Sequence, residues 1–588
     1  MLEELHCFAL AVAQAGAFIH CHSSLGEYQK LYEHERDNLL QNEETQGQDP
    51  YELAVYSTWR LSYDKLEPSA ILLLQIFSFL HHEGISEEMF KKAALSQLDL
   101  NDSELQDNVV KLLNQLGKQD SSWSSWTFRK VIMRLGSCSL IEYDHQNHTY
   151  SLHPLVHQWS GTTLEGNKSL MQNLVLTIIA LSFPLTFTDE DFKYRRKLLK
   201  HTTNSIASLK PEDINPLVGT HIAQIYSDVG RLKETEALEV MAMEKRKQVL
   251  GDNHPDTLTS MAIVAGTYWN QGRWSDAEVI FLVVLEKRKL VLGDDHPNTL
   301  KSMAELATTY LSQGRWKEAE ALLVAVTEKS KRVLGEDHRV TLRSMGDLAT
   351  TYLSQGYWKE AEALLVEVIK KDERALGDDH PDILITMDNL AFAYRCQGLL
   401  KDAEVLGLVG MEKSKRLLGD DHPYTLFIMA NLAITYREQG RLNEAEALAV
   451  LAMESMKRVF GDTHPRTLRC MGNLAVTYRK QGRLKDAEVL QIVALEKMKT
   501  VLGDEYPWTL ENMANLADTH RDQGRLKEAE ALSVEVIEKM GRVLGDDHPH
   551  TLITMTNLMA TYVALGRSND AEALKAIVEE RRKHCDGS

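Results

Sequence analysis

From residue 250 onward the apolar positions follow one repeating scheme. In the stretch Leu418 to Val459, Leu426, Met429, Ala433 and Tyr436 are spaced three, four and three, which places them on one stripe of a helix. A turn phrase, Leu-Gly-Asp-x-His-Pro-x-Thr-Leu or a close variant, precedes each such stripe. It begins at Leu250, Leu292, Leu334, Leu376, Leu418, Phe460, Leu502 and Leu544, each 42 residues after the last. A second landmark is a glycine that closes Gln-Gly-Arg or its variants, at Gly230, Gly272, Gly314, Gly356, Gly398, Gly440, Gly482, Gly524 and Gly566. With a degenerate unit at 208–249 in front, the pattern predicts nine helix pairs.

Within a unit the elements follow from residue chemistry. Gly419-Asp420-Asp421-His422-Pro423 is a turn that starts helix A, with Asp or His able to cap free amides and Pro suited to the first helical position. Helix A runs to about Glu438 and Gly440 ends it, because a left-handed residue is tolerated best without a side chain. Helix B starts near Glu444-Ala445-Glu446 and continues to about Arg458. Ala445 is small where two helices should cross closely, and the same Ala recurs at Ala277, Ala319, Ala361, Ala403, Ala487, Ala529 and Ala571. One pair cannot bury its stripe alone, so the units must stack into a solenoid with a continuous core.

Residues before about 206 do not share the period. Tyr51 to Leu66 leads into an apolar helix, Ala70 to Leu80, and helical patterns follow at Ser86 to Leu95, Ser103 to Leu116 and Thr127 to Gly136. Two short strand signals, Ser139 to Tyr143 and Thr149 to Leu152, flank Asp144-His145-Gln146-Asn147-His148 as a hairpin. Helices followed by a two-stranded wing make a winged helix. Arg129, Lys130 and Arg134 on the last of these helices are few for a DNA-binding surface.

Charge and composition narrow the function. A net charge of -19 over 588 residues argues against nucleic acid, which is held mainly by Lys and Arg. Six cysteines (Cys7, Cys21, Cys138, Cys396, Cys470, Cys585) are scattered without a Cys-x-x-Cys pair, a usage that suits the reducing cytosol and a cytoplasmic location. Phe8 to Ile19 mimics a signal peptide's apolar region, but Glu3 and Glu4 stand where basic residues belong. No apolar run approaches the ~20 residues of a membrane span, so no membrane association is expected. No nucleophile, acid pair or metal cluster with usable spacing stands out, so neither an enzyme nor a cofactor is expected.

Aligning the units shows where a ligand would sit. The variable positions of helix A fall one, four, eight and eleven residues after the Pro, again on one face, roughly opposite the core stripe. In the unit at 418 they are Tyr424, Phe427, Asn431 and Ile434, and Trp508 occupies the first of them two units later. An exposed face drifting freely explains such variation, yet large aromatic residues suit a surface that holds a ligand. One position holds still: Asn389, Asn431, Asn473, Asn515 and Asn557 in the last five units, against Ile263, Glu305 and Asp347 before them. Such amides could clamp the backbone of an extended segment, or bond the adjacent repeat. The recurring His of His-Pro (His254, His296, His338, His380, His422, His464, His548) is read as structural, since histidines a whole repeat apart cannot converge on one metal ion.

The small Ala and Tyr pattern with Asn-Leu-Ala-x-Thr-Tyr-x-x-Gln-Gly-Arg-x-x-Glu-Ala-Glu resembles tetratricopeptide repeats of the kinesin-light-chain type. The resemblance implies an all-α, right-handed superhelix, an α-solenoid, whose helices A line a concave groove, and it implies that the five asparagines contact a bound backbone. Trp59-Arg60-Leu61-Ser62-Tyr63-Asp64-Lys65-Leu66 and Leu152-His153-Pro154-Leu155-Val156-His157-Gln158-Trp159 resemble the winged-helix part of NB-ARC nucleotide switches, and Leu10 to Ile19 the helical subdomain before it. Fungal NLR-like proteins of the STAND class join such a switch to these repeats. The resemblance implies that His157 is a remnant of their nucleotide sensor, and Ala9 replaces the proline that packs by the adenine.

The expected organisation is a helical-subdomain remnant and polar linker at 1–50, a winged helix at 51–165, connecting helices at 166–207 and the repeat array at 208–585. The family's phosphate loop is expected to be missing. Its nearest lookalike, Gly161 to Ser169, has one residue too many before Lys168 and follows a helix. The reading is therefore the ligand-recognition part of an NLR-like sensor, holding a protein or peptide in its groove, with self-association as a further partner class. The alternative is a kinesin-light-chain-like cargo adaptor, which would need an N-terminal heptad coiled coil that residues 1–206 do not show.

Overall fold

The computed structural model describes residues 9–41, 50–164, 168–184, 189–207, 209–376 and 381–587. The chain divides into two compact units, residues 1–225 and 226–588.

In the first unit, helices α1 (Ala9–His22), α2 (Leu25–Gln41) and α3 (Pro50–Tyr63) precede α4 (Pro68–Phe77), α5 (Glu87–Leu95), α6 (Ser103–Leu116) and α7 (Ser125–Ser137). Asp102 caps α6 and Ser124 caps α7, each accepting from the amide three residues on. Two antiparallel strands follow, Glu142–Asp144 paired with Thr149–Ser151, and the backbone of Ile85 bridges to Tyr150, tying the wing to the start of α5. The core joins Phe77, Phe90 and Phe128 in a ring chain, and the fully buried Trp59 packs on Trp159 with ring centroids 5.5 Å apart.

The sequence pattern omits one hairpin, Lys118–Gln119 with Ser122–Trp123, whose strands are too short to show alternation. Gly117 at φ 141° closes α6 just before the first strand, and Asp120 at φ 42° lies in the turn between the two strands. Helices α8 (Pro154–Thr162), α9 (Lys168–Leu181) and α10 (Asp189–Ile206) complete the unit, and α9 packs on α5 and α6.

From α11 (Pro216–Asp228) to α28 (Ser568–Gly587) the described residues form nine helix pairs stacked in a superhelix. In the pair α21 (Pro423–Glu438) and α22 (Leu442–Phe460), His422 occupies the cap position and its Nδ1 accepts from the Tyr424 amide at 3.2 Å. The sequence left Asp and His open for this role. His254, His296, His338, His464 and His548 do the same in their units, while His380 lies outside the described residues. Helix A closes with Gln439 in helical geometry and Gly440 at φ 79°. The crossing alanines from Ala277 to Ala529 are fully buried, and Ala571 nearly so.

Units are wired together by side chains that the sequence marks only as landmarks. Gln439 Nε2 donates to Glu404 at 2.9 Å and to the Leu400 carbonyl at 3.0 Å, and Arg441 Nη1 reaches the same Glu404 at 2.6 Å. The Gln and Arg of Gln-Gly-Arg therefore grip the second Glu of Glu-Ala-Glu in the preceding unit. Arg441 also lies 4.2 Å from the ring centroid of Tyr436. Tyr436 is consequently only half-buried, roofed by a guanidinium, where its place on the stripe suggested a core residue.

Helices A of successive units pack directly on one another from α15 to α27, whereas helices B make no comparable contact with their own kind. The closer spacing of helices A puts them on the inside of the curve.

Candidate functional site

The inner face of helices A carries the positions that vary between units. In α19 (Pro381–Cys396) and α21 it presents Ile385, Phe392 and Tyr424 to solvent, with Phe427 half-buried beside them. Solvent-facing aromatic and branched side chains gathered on a concave wall are costly unless something covers them. Trp508, on α25 (Pro507–Asp522), is half-buried and stacked under Arg469, whose guanidinium carbon lies 4.9 Å from the ring centroid.

The five asparagines lie on this same face, and their amides are not equivalent. Asn431 Nδ2 donates to both carboxylate oxygens of Asp388 in the preceding unit, at 3.0 and 2.8 Å, and Asn557 Nδ2 donates to Asp518 at 3.0 Å. Among the described residues, the side-chain amides of Asn389, Asn473 and Asn515 bond to nothing in the chain. Two of the five therefore bond the neighbouring repeat, and among the described residues three leave their amides unbonded.

The backbone at this position has a separate role. Arg395, Arg437 and Arg521 each donate from Nη1 to the carbonyl of the Asn in the next unit, Asn431, Asn473 and Asn557, at 3.1, 3.2 and 3.3 Å. Arg479 ion-pairs with Asp518 at 3.2 Å. This arginine ladder runs along the inner wall, and its repetition four times at one position is a signal the sequence comparison passed over.

Desolvation in the concavity shifts the charged groups. It raises the Asp347 carboxyl to about 6, with Arg343 opposing, and raises Asp388, with the Asn431 bond opposing. It lowers the guanidinium of Arg437, half-buried on α21.

In the first unit, His157 on α8 is half-buried and its Nε2 bonds the Leu80 carbonyl at 2.7 Å, with burial lowering its pKa. This nitrogen is thus used in holding the loop that follows α4. Gly161 and Thr162 of the phosphate-loop lookalike are helical, at the end of α8, and residues 165–167 lie outside the described residues. Arg134 pairs with Glu67 at 3.6 Å.

Models of the tetratricopeptide repeat match residues 264–329, 411–457, 436–500 and 508–576, and 220–256, 341–382 and 383–424, together more than half of the chain. The chain belongs to the tetratricopeptide-repeat proteins. A domain of unknown function (DUF7779) matches residues 61–169 of this repeat protein. No curated protein matches the chain. Among solved structures it is similar to a Podosopora anserina chain of nearly identical TPR-like repeats, described as a kinesin light chain, at 29% identity over 35% of this chain and 97% of that one, TM-score 0.31. A STAND protein with a tetratricopeptide repeat sensor from Pyrococcus horikoshii is 13% identical over 97% of this chain and 72% of that one, TM-score 0.36. The quorum sensor NprR from B. thuringiensis is 14% identical over 61% and 97%, TM-score 0.41.

A tetratricopeptide array is a scaffold for protein–protein interaction and not a catalytic fold. No helix among the described residues is long and apolar enough to cross a membrane.

Proposed function

We propose that the array of this chain is the ligand-recognition module of an NLR-like sensor and that it holds an extended segment of a protein in the concave wall formed by helices A. The observation that carries the reading is the exposure of Ile385, Phe392 and Tyr424 on the same face of helices A that carries the unbonded amide of Asn473. Apolar side chains of a ligand would cover the first group, and amides pair with a backbone in either direction, donating to C=O and accepting from N–H. The NLR assignment is supported by the two phrases at 59–66 and 152–159, and the groove assignment does not depend on it.

The test uses the full chain against a phage-displayed random peptide library. Selected peptides should lose binding to Tyr424→Ala with Phe427→Ala, and bind at least tenfold more weakly to Asn473→Ala with Asn515→Ala. Peptides that bind all three proteins equally would refute the groove.

A further inference from the structure

The superhelix is wound so tightly that its second turn rests on its first. Gly230, Gly272 and Gly314 close helices A of the first three units, and each meets the start of a helix A 234 residues later. That is five units of 42 and rather more than half of a sixth. A Cβ at Gly230 would lie 2.7 Å from Cδ of Pro465, at Gly272 2.8 Å from Cδ of Pro507, and at Gly314 2.9 Å from Cδ2 of His548. The Tyr506 hydroxyl donates to the Asn270 carbonyl at 3.0 Å, and the Asp228 carboxylate attracts Arg466 across the same seam. Trp274, the first residue of α14 (Trp274–Leu292), packs against the core cluster of Leu510, Met513, Val536 and Met540 one superhelical turn away.

Later units show the same features without a partner. Gly398 and Gly440 have nothing within 4 Å of an added Cβ, although their φ angles, 77° and 79°, match those of Gly272 and Gly314, 75° and 77°. Trp358 occupies the place of Trp274 two units on and is 41% exposed. A half-open cleft of about 610 Å³ lies along the seam, lined by Leu232, Trp274 and Val543 together with charged residues such as Glu236, Arg273 and Glu505. Contact along the seam is therefore interrupted by a cleft, in contrast to the continuous packing within each turn.

We propose that this seam is a latch: it closes the inner wall into a tube, and an extended chain enters when the seam parts and the superhelix lengthens. The latch regulates the binding wall proposed above and so rests on that reading, but its mechanics can be measured without a ligand. A few point contacts open at far lower cost than the helix packing inside a turn, so the array lengthens while each unit stays folded.

The test compares Trp274→Ala with Trp358→Ala in the full chain by small-angle X-ray scattering, with circular dichroism for helix content. Trp274→Ala should raise the radius of gyration and the maximum dimension at unchanged helix content, and Trp358→Ala should leave both as in the wild type. The second comparison is Gly272→Ala with Gly314→Ala against Gly398→Ala with Gly440→Ala. Both pairs force an L residue into the same left-handed geometry, but only the first pair collides with another turn. Expansion limited to Trp274→Ala and the first glycine pair supports the latch. Equal dimensions within each comparison overturn it, whatever the groove binds. If Trp274→Ala loses helix content, the glycine comparison decides. A lengthened array that captures no library peptide leaves the latch standing and removes the groove.

Discussion

Arg437 donates from Nη1 to the backbone carbonyl of Asn473, 3.2 Å away in the next repeat unit. The contact ties two helices A together on the inside of the curve, through an atom that no substitution at 473 removes. A hydrogen bond from a charged donor in a desolvated setting contributes about 1.5–3 kcal/mol. Arg437→Ala should therefore lower stability by about that amount in urea denaturation. A loss below about 0.5 kcal/mol, the range of ordinary surface changes, would remove the arginine ladder as a structural element.

The asparagines should separate into two classes. Asn473→Ala deletes an amide without a partner in the chain, so the melting temperature should stay within about one degree of the wild type, given that several degrees accompany each kcal/mol. Asn431→Ala deprives the desolvated Asp388 carboxylate of two donors and should cost about 1–3 kcal/mol. A loss for Asn431→Ala as small as the one expected for Asn473→Ala would mean that the Asp388 contact has no energetic consequence.

Glu239 gives a pH dependence of defined sign. Its carboxyl is buried, accepts from the Thr267 hydroxyl and is pushed up to about 7, mainly by desolvation, with the Glu236 charge adding to it. A folded-state pKa above the unfolded value means that the folded state binds the proton more tightly. The stabilisation is complete below about 4.5 and is lost as pH rises through 7, a change on the order of 3 kcal/mol. Denaturation midpoints should fall between pH 5 and pH 8, and Glu239→Gln should flatten that fall. A wild-type midpoint constant over the range would contradict the buried proton.

The helix crossings set a steric limit. Ala445 is fully buried where α21 meets α22, and Leu at that place adds volume to a packed crossing. Ala445→Leu should destabilise by about 1–3 kcal/mol in chemical denaturation, while Ala447→Leu, on the same helix but less buried, should cost less. A reversed order would place the crossing elsewhere.

The elements legible in the sequence are those fixed by neighbours along the chain. The 42-residue period, the proline start and glycine stop of helix A and the crossing alanines all express local geometry that each unit repeats. Contacts between units were harder to read. Gln439, Arg441 and Glu404 stood out as recurring residues, but their joint grip depends on how one pair docks on the next. Tyr436 shared the spacing of the core stripe and still lies half-open, because Arg441 covers its outer face. The seam had no local signal at all, since the meeting of Gly272 with Tyr506 follows from a small rotation accumulated over more than five units. On the candidate wall, the sequence marked the face and its asparagines. Which amides are free was decided by Asp388 and Asp518, acids at positions that differ from unit to unit.

Binding of an extended polypeptide to the inner face of helices A can be read by hydrogen–deuterium exchange of the full chain, with and without a peptide selected from the random library. Slower exchange on binding, concentrated in α19, α21 and α23 (Pro465–Lys480), is the result predicted here. Protection confined to helices B, or to residues 1–225, would contradict it.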